Sequence, residues 1–103
     1  MSLEIGIYTF GDLPVGPSGS QGPQAAKQRL DEVLAAARLA DEAGLQVFGV
    51  GEHHRSDYAI SAHAAVLGAV ASVTRQIRLT SAVTILSSAD PVRVFEGFAT
   101  LDL

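Results

Sequence analysis

The chain has 103 residues, 48% of them hydrophobic, with a mean hydropathy of +0.27 and a formal net charge of −4. That length holds at most one ordinary domain, and the apolar content excludes a disordered chain. The acidic balance without a basic stripe argues against nucleic acid as a partner; the absence of cysteine excludes disulfides, iron–sulfur clusters and thiolate nucleophiles; and no apolar run reaches the roughly 18 residues of a membrane span.

The start, M-S-L-E-I-G, lacks the basic and long apolar regions of a secretory signal, so a cytoplasmic protein is expected. Glu4 to Thr9 is short and β-prone, and it predicts strand one. Residues 10–24 carry four Gly and three Pro, a density of breakers that predicts an irregular loop, read here as a flexible cover over the strand ends, with a plain irregular surface excursion as the competing reading. From Ala25 to Ala43, apolar residues at Ala26, Leu30, Val33, Leu34 and Ala37 follow spacings of three and four, which predicts an amphipathic helix. Gly44 stands where a left-handed C-terminal cap is needed.

Gln46 to Gly51 is apolar without alternation, the pattern of a parallel strand covered on both faces. After E-H-H-R, Ser61 is the expected N-cap of an Ala-rich helix over 62–74, whose small side chains let another helix approach closely. Ile77 to Thr84 predicts strand three. Asp90-Pro91 is a strong start signal, capping residue then proline, for a third helix from Pro91 to the last residue. The order β-α-β-α-β-α implies parallel strands joined by helical crossovers, an α/β fold.

Ligands of such folds bind beyond the carboxyl ends of the strands, where the loops after the three strands meet. Glu52-His53-His54-Arg55 falls there. Histidine titrates near neutrality, so a pair beside a carboxylate can donate, accept or relay a proton. A solvated polar loop is the competing reading of the same residues. A metal held by Glu52, His53, His54 and His63 fits poorly: adjacent His side chains on extended backbone diverge, and neither H-x-H nor H-E-x-x-H spacing occurs. No metal is expected, and His63 is expected as an exposed or capping residue at its helix start. Gly16, Gly19 and Gly22 are spaced by three, but neither G-x-G-x-x-G nor G-K-[ST] accompanies them, which excludes a Rossmann fingerprint or P-loop. Ser81 and Ala82 are small residues at a strand end, where a flat ligand could lie against backbone.

Three stretches, E-I-G-I-Y-T-F-G-D, G-E-H-H-R-S-D-Y-A, and I-R-L-T-S-A-V-T-I-L-S-S-A-D-P-V-R-V-F-E-G-F-A-T-L-D-L, together resemble the N-terminal part of bacterial luciferase-like flavin monooxygenases. The resemblance covers nearly the whole chain. It implies the first three units of a (β/α)8 TIM barrel, with residues 1–103 forming an incomplete N-terminal part of a single barrel domain that needs roughly 250 residues. It implies reduced FMN at the strand ends, O2 as co-substrate and a small organic substrate. His53 would be the catalytic residue, a hydrogen-bond and proton partner at the reactive edge of the flavin. Glu52, Ala82 and Val83 would shape the cofactor site, with a non-prolyl cis peptide at Ala82–Val83. The family's phosphate-binding residues would lie outside this chain. A flavin reductase would be a partner, and subunits would pair as a homodimer through helices about 62–74 and 91–103. Two alternatives stand beside this: a deazaflavin-dependent hydride-transfer enzyme on the same barrel, and an isolated 103-residue unit that is inert and only self-associates.

Overall fold

The computed structural model describes residues 2–14 and 22–103. Strands β1 (Gly6–Thr9), β2 (Val47–Val50) and β3 (Arg78–Ser81) form one parallel sheet in the order β1-β2-β3. Helices α1 (Pro23–Glu42), α2 (His63–Val73) and α3 (Pro91–Leu101) alternate with them, and a short 3-10 turn (Leu86–Ser88) precedes α3. The expected β-α-β-α-β-α order and parallel strands are therefore present.

The boundaries follow local chemistry. α1 starts two residues before the expected point, because Pro23 takes the first helical position behind Gly22. It ends as expected at Gly44, whose φ is 82°, with the Leu45 N–H donating to the Ala40 carbonyl at 3.0 Å. α3 starts at Pro91 behind Asp90, whose carboxylate accepts from the N–H groups of Val92 and Arg93 at 2.8 and 3.3 Å. α2 corrects the expectation of a Ser61 cap: it begins at His63, and Ala62 before it supplies no side-chain cap.

The strands are shorter than expected. The ladder is in register for four residues, Gly6–Val47–Arg78 through Thr9–Val50–Ser81. Single bonds extend it: Gln46 N–H to Ile5 O at 2.9 Å below, and Ala82 N–H to Val50 O at 2.9 Å above. Beyond Ala82 the chain leaves the ladder, because its next polar groups bond to α2 and the loop after β2 instead.

One face of the sheet carries the core. Phe48 and Val50 on β2 pack with Val33, Ala37 and Ala40 of α1, Leu67 and Val70 of α2, and Ile60 and Ile77 from the connections. Burying side chains of this size stabilises the fold by about 1.5–3 kcal/mol each before conformational entropy is subtracted. α2 packs between α1 and α3 and touches β2 and β3. The two edges differ from this centre. Ile7 on β1 and Phe95 on α3 are 42% and 72% exposed, and a groove of about 920 Å³ opens between α2, β3 and α3, lined by Leu67, Ile77, Leu79, Phe95, Phe98 and Leu101 among others.

The opposite face carries no helix among the described residues. Tyr8 and Phe10 project along it from β1, and Thr80 and Ala82 from β3, with Gly49 and Gly51 between them. A Cβ on Gly51 would come within 2.3 Å of the Phe10 ring, so glycine there lets the ring cross the strand end.

Candidate functional site at the carboxyl ends of the strands

The alternation of an extended chain decides what each residue after β2 faces. Phe48 and Val50 point into the helix layer, whereas Gly49 and Gly51 lie on the open face. Carried onward, Glu52 and His54 belong to the helix side and His53 to the open side, and the contacts agree.

On the open side, the His53 ring stacks on Tyr58 with centroids 4.1 Å apart and an interplanar angle of 18°. The edge of Phe10 meets it at 4.8 Å and 65°, and Tyr8 follows Phe10 at 5.3 Å. The His53 N–H donates to Ile60 O at 3.0 Å, which fixes the backbone. Its Nδ1 is buried and has no hydrogen-bond partner among the described residues. The imidazole is thus held by aromatic packing, with its polarity unspent.

The first part of the loop after β1 is paired, which corrects its reading as a flexible cover over residues 10–14. Leu13 N–H donates to Asp57 O and Ala59 N–H to Gly11 O, both at 2.8 Å, around an antiparallel bridge of Asp12 with Tyr58. Arg29 of α1 ties Asp12 down at 2.9 Å. This clasp holds Phe10 and Tyr58 against His53. Residues 15–21, including Gly16 and Gly19, lie outside the described residues.

On the helix side the polar groups converge on the Glu52 carboxylate. The Glu52 side chain is 7% exposed. Its Oε1 accepts from His54 Nε2 at 2.6 Å; its Oε2 faces His63 Nδ1 at 3.2 Å and accepts from the Ile85 N–H at 3.1 Å. His63 Nε2 meets Thr84 Oγ1 at 2.9 Å, and Thr84 Oγ1 meets Ser81 Oγ at 2.9 Å. The hydrogen bond from His54 holds the Glu52 carboxyl below its ordinary range; burial opposes this, and the Ile85 N–H and the His63 charge add to it. The carboxylate sits between two imidazoles as a shared acceptor. Among the described residues no three such side chains converge as a metal set.

The segment after β3 completes the rim. The Ala82–Val83 peptide bond is cis, as the resemblance implied. Ala82 borders Gly49 and Gly51, while Val83 and Leu86 are 70% and 62% exposed. Small groups and bare backbone therefore floor the open side next to the aromatic wall.

Of the residues singled out in the sequence, His53, Ala82 and Val83 come together on this rim, and Glu52 stands behind them. The expectation for His63 is corrected: it is 8% exposed, with Nε2 hydrogen-bonded to Thr84 and Nδ1 facing the Glu52 carboxylate at 3.2 Å. A signal was available, since His63, Leu67 and Val70 are spaced by four and three and all are buried on one face of α2. Phe10, Tyr58 and Thr84 were also missed; Phe10 meets His53 from 43 residues earlier and Thr84 meets His63 from 21 residues later, separations that no local pattern marks.

A parallel strand–helix repeat with its polar and aromatic groups gathered at the strand ends is the arrangement of barrel-forming α/β proteins, a class that binds its ligands at that end. Residues 3–103 match the family model described as luciferase-like monooxygenase, and the chain belongs to that family. It is 37% identical over 79 residues to N-acetyl-S-alkylcysteine monooxygenase of Bacillus subtilis (strain 168), covering 76% of this chain and 24% of that one. It is 37% identical over 101 residues to the uncharacterized protein y4wF of Sinorhizobium fredii (strain NBRC 101917 / NGR234), covering 97% and 27%. Among solved structures, monooxygenase RslO1 from Streptomyces bottropensis superposes with a TM-score of 0.80 at 27% identity, covering 97% of this chain and 29% of that one. Apo-MsnO8 gives 0.83 at 28% identity, with the same coverage. The FMN complex of the oxygenating constituent of 3,6-diketocamphane monooxygenase from Pseudomonas putida, a type II Baeyer–Villiger monooxygenase, gives 0.77 at 20% identity and shares the fold, over 97% of this chain and 26% of that one. The chain thus spans about a quarter of the length of the relatives it matches.

Proposed function

We propose that this chain is the N-terminal part of a flavin-dependent monooxygenase that uses reduced FMN and O2 to oxygenate a small organic substrate. The observation that carries the proposal is the His53 imidazole, clamped between Phe10 and Tyr58 at the strand ends, in a member of the luciferase-like monooxygenase family. The residues present suit a flat ring system. Gly49, Gly51 and Ala82 leave the strand ends bare, and an aromatic wall stands beside them. An FMN-bound neighbour has the same fold.

Reduced flavin would supply the two electrons that let one atom of O2 enter the substrate while the other leaves as water. The protein's part is positioning and proton control. Ala82, Val83 and the rim glycines would hold the ring, with Glu52 fixing the Ile85 N–H behind them. Burial of Nδ1 leaves His53 Nε2 as the atom that donates to, or takes a proton from, the reacting oxygen. The exposed apolar residues Val92 and Phe95 of α3 support pairing of two copies through α2 and α3, and a flavin reductase is the proposed source of reduced FMN. Work in the cytoplasm is part of the proposal; among the described residues no helix is long and apolar enough to cross a membrane.

The test is His53→Ala in the intact protein. Oxygenation should fall by about 10²–10⁴-fold, the range of a lost general acid–base group, with the circular dichroism spectrum unchanged. Unchanged turnover would remove His53 from the chemistry. Oxygen consumption measured in the same assay separates this reading from hydride transfer to a deazaflavin, which uses none.

A further inference from the structure

We propose that His63 is a positioning residue: through Glu52 and Thr84 it pins the segment after β3, residues 82–85, to the segment that carries His53. Three elements converge on it. From the end of β2 comes Glu52, with His54 on the carboxylate's other oxygen. From the connection after β3 comes Thr84, with Ser81 behind it. From α3 comes Phe98, whose ring centroid lies 6.0 Å from the imidazole. No charged group other than Glu52 contacts His63 among the described residues.

The chemistry of these partners fixes the proton on His63. An ionised carboxylate only accepts, so the nitrogen facing it, Nδ1, carries hydrogen. In the neutral ring Nε2 is then an acceptor. It accepts a hydrogen bond from the Thr84 hydroxyl, which in that state no longer donates to Ser81. In the charged ring Nε2–H donates to Thr84 and Thr84 donates to Ser81. The Thr84 hydroxyl changes direction without any heavy atom moving. The pin therefore holds in both protonation states.

What the pin holds is specific. Glu52 Oε2 is shared by His63 Nδ1 and the Ile85 N–H, and Thr84 is adjacent to Ile85 in sequence. Residues 84 and 85 are thus fastened twice, directly through Thr84 and indirectly through Glu52. Ala82 and Val83, two residues earlier, carry the surface on which the proposed flavin ring would lie. In that last link the inference rests on the flavin reading; in the rest it does not.

Two measurements keep these parts separate. The first needs no cofactor. Nitrogen-15 spectra of the imidazoles in the intact protein, recorded across a pH series, should show the neutral form of His63 as the Nδ1–H tautomer. Hydrogen exchange at the Ile85 amide should rise about tenfold in His63→Phe, which keeps the ring volume and removes the bond to Thr84 and the contact with Glu52, relative to amides of the α1 core. His63→Asn, whose side-chain amide reaches as far as Nδ1, should restore most of that protection. An Nε2–H tautomer, or Ile85 exchange unchanged in a folded His63→Phe, overturns the proposal; if that variant fails to fold, the tautomer and the His63→Asn exchange decide it.

The second measurement is FMN affinity. His63→Phe should weaken it about tenfold while turnover at saturating FMN stays within about twofold, the reverse of the His53→Ala pattern. Equal loss of turnover overturns a pure positioning role. If the unmodified protein binds no FMN, the flavin reading fails, and the pin is judged by the first measurement alone.

Discussion

The two sides of the segment Glu52–His54 obey different rules. Behind it, Glu52, His54, His63, Thr84 and Ser81 satisfy one another, and the buried carboxylate has three partners. In front of it, His53 touches aromatic carbon, and its buried Nδ1 has no partner among the described residues. A buried polar group without a partner costs stability, and such a group persists where something other than stability holds it. A satisfied side and an unsatisfied side, separated by one residue, are what a scaffold and a reacting surface look like when they share a strand end. The same division runs down the sheet, from the apolar helix-covered face of Phe48 and Val50 to the open face of Tyr8, Phe10 and the glycines.

That comparison breaks first at the core. Phe48 is 1% exposed at the centre of the helix-covered face. Phe48→Ala should cost about 3–5 kcal/mol of unfolding free energy, measured by denaturant titration, because neighbouring helices cannot collapse fully into the space. A loss below about 1 kcal/mol would mean that the helix layer is not the stabilising side.

The open side should respond with the opposite ratio. Tyr58→Leu removes the ring stacked on His53 and leaves an apolar side chain. It should cost about 1 kcal/mol of stability, the scale of an aromatic pair, while lowering oxygenation by more than that loss explains. Equal proportional losses of stability and turnover would erase the distinction between the two sides.

How much of this was legible depends on range. The helix α1, the Asp90-Pro91 start of α3 and the three-strand order are written within spans of a few residues, as periodicity and capping chemistry. The E-H-H segment was legible as a place where chemistry belongs, because a buried strand that ends in titratable groups is locally odd. The division of labour inside it was not. His63 owes its burial and its bonds to Glu52, 11 residues before it, and Thr84, 21 residues after it. The loop at 10–14 owes its order to residues 57–59. Pairings of that separation exist only once the sheet has formed. Strand lengths were overestimated for a related reason: Ala82 to Ile85 look β-prone, yet their polar groups are claimed by Val50, His63 and Glu52.

The smallest expected effect concerns pH and extends the satisfied side to the other end of the sheet. Asp41, at the end of α1, accepts the N–H groups of Arg75, Gln76 and Ile77 at 2.8, 3.0 and 2.8 Å and so closes the turn before β3. The bond from Gln76 is the main cause that lowers its pKa from 3.8, with those from Arg75 and Ile77 following. Glu52 is lowered from 4.5 chiefly by its bond from His54. A carboxyl whose folded value is depressed binds fewer protons when folded. Its stabilisation is complete above the unfolded value and disappears as pH falls through the folded one. Both groups therefore predict a stability plateau above about pH 5 that declines from about 4.5 downward, where the unfolded chain protonates first. Asp41→Asn should lie below the unmodified protein on that plateau, and the gap should close as pH falls below 3.8, the ordinary value for Asp41. Thermal melts at a series of pH values read the gap directly. A gap constant from pH 6 to pH 3 would mean that the three amide bonds do not favour the ionised form, and the turn before β3 would then need a different account.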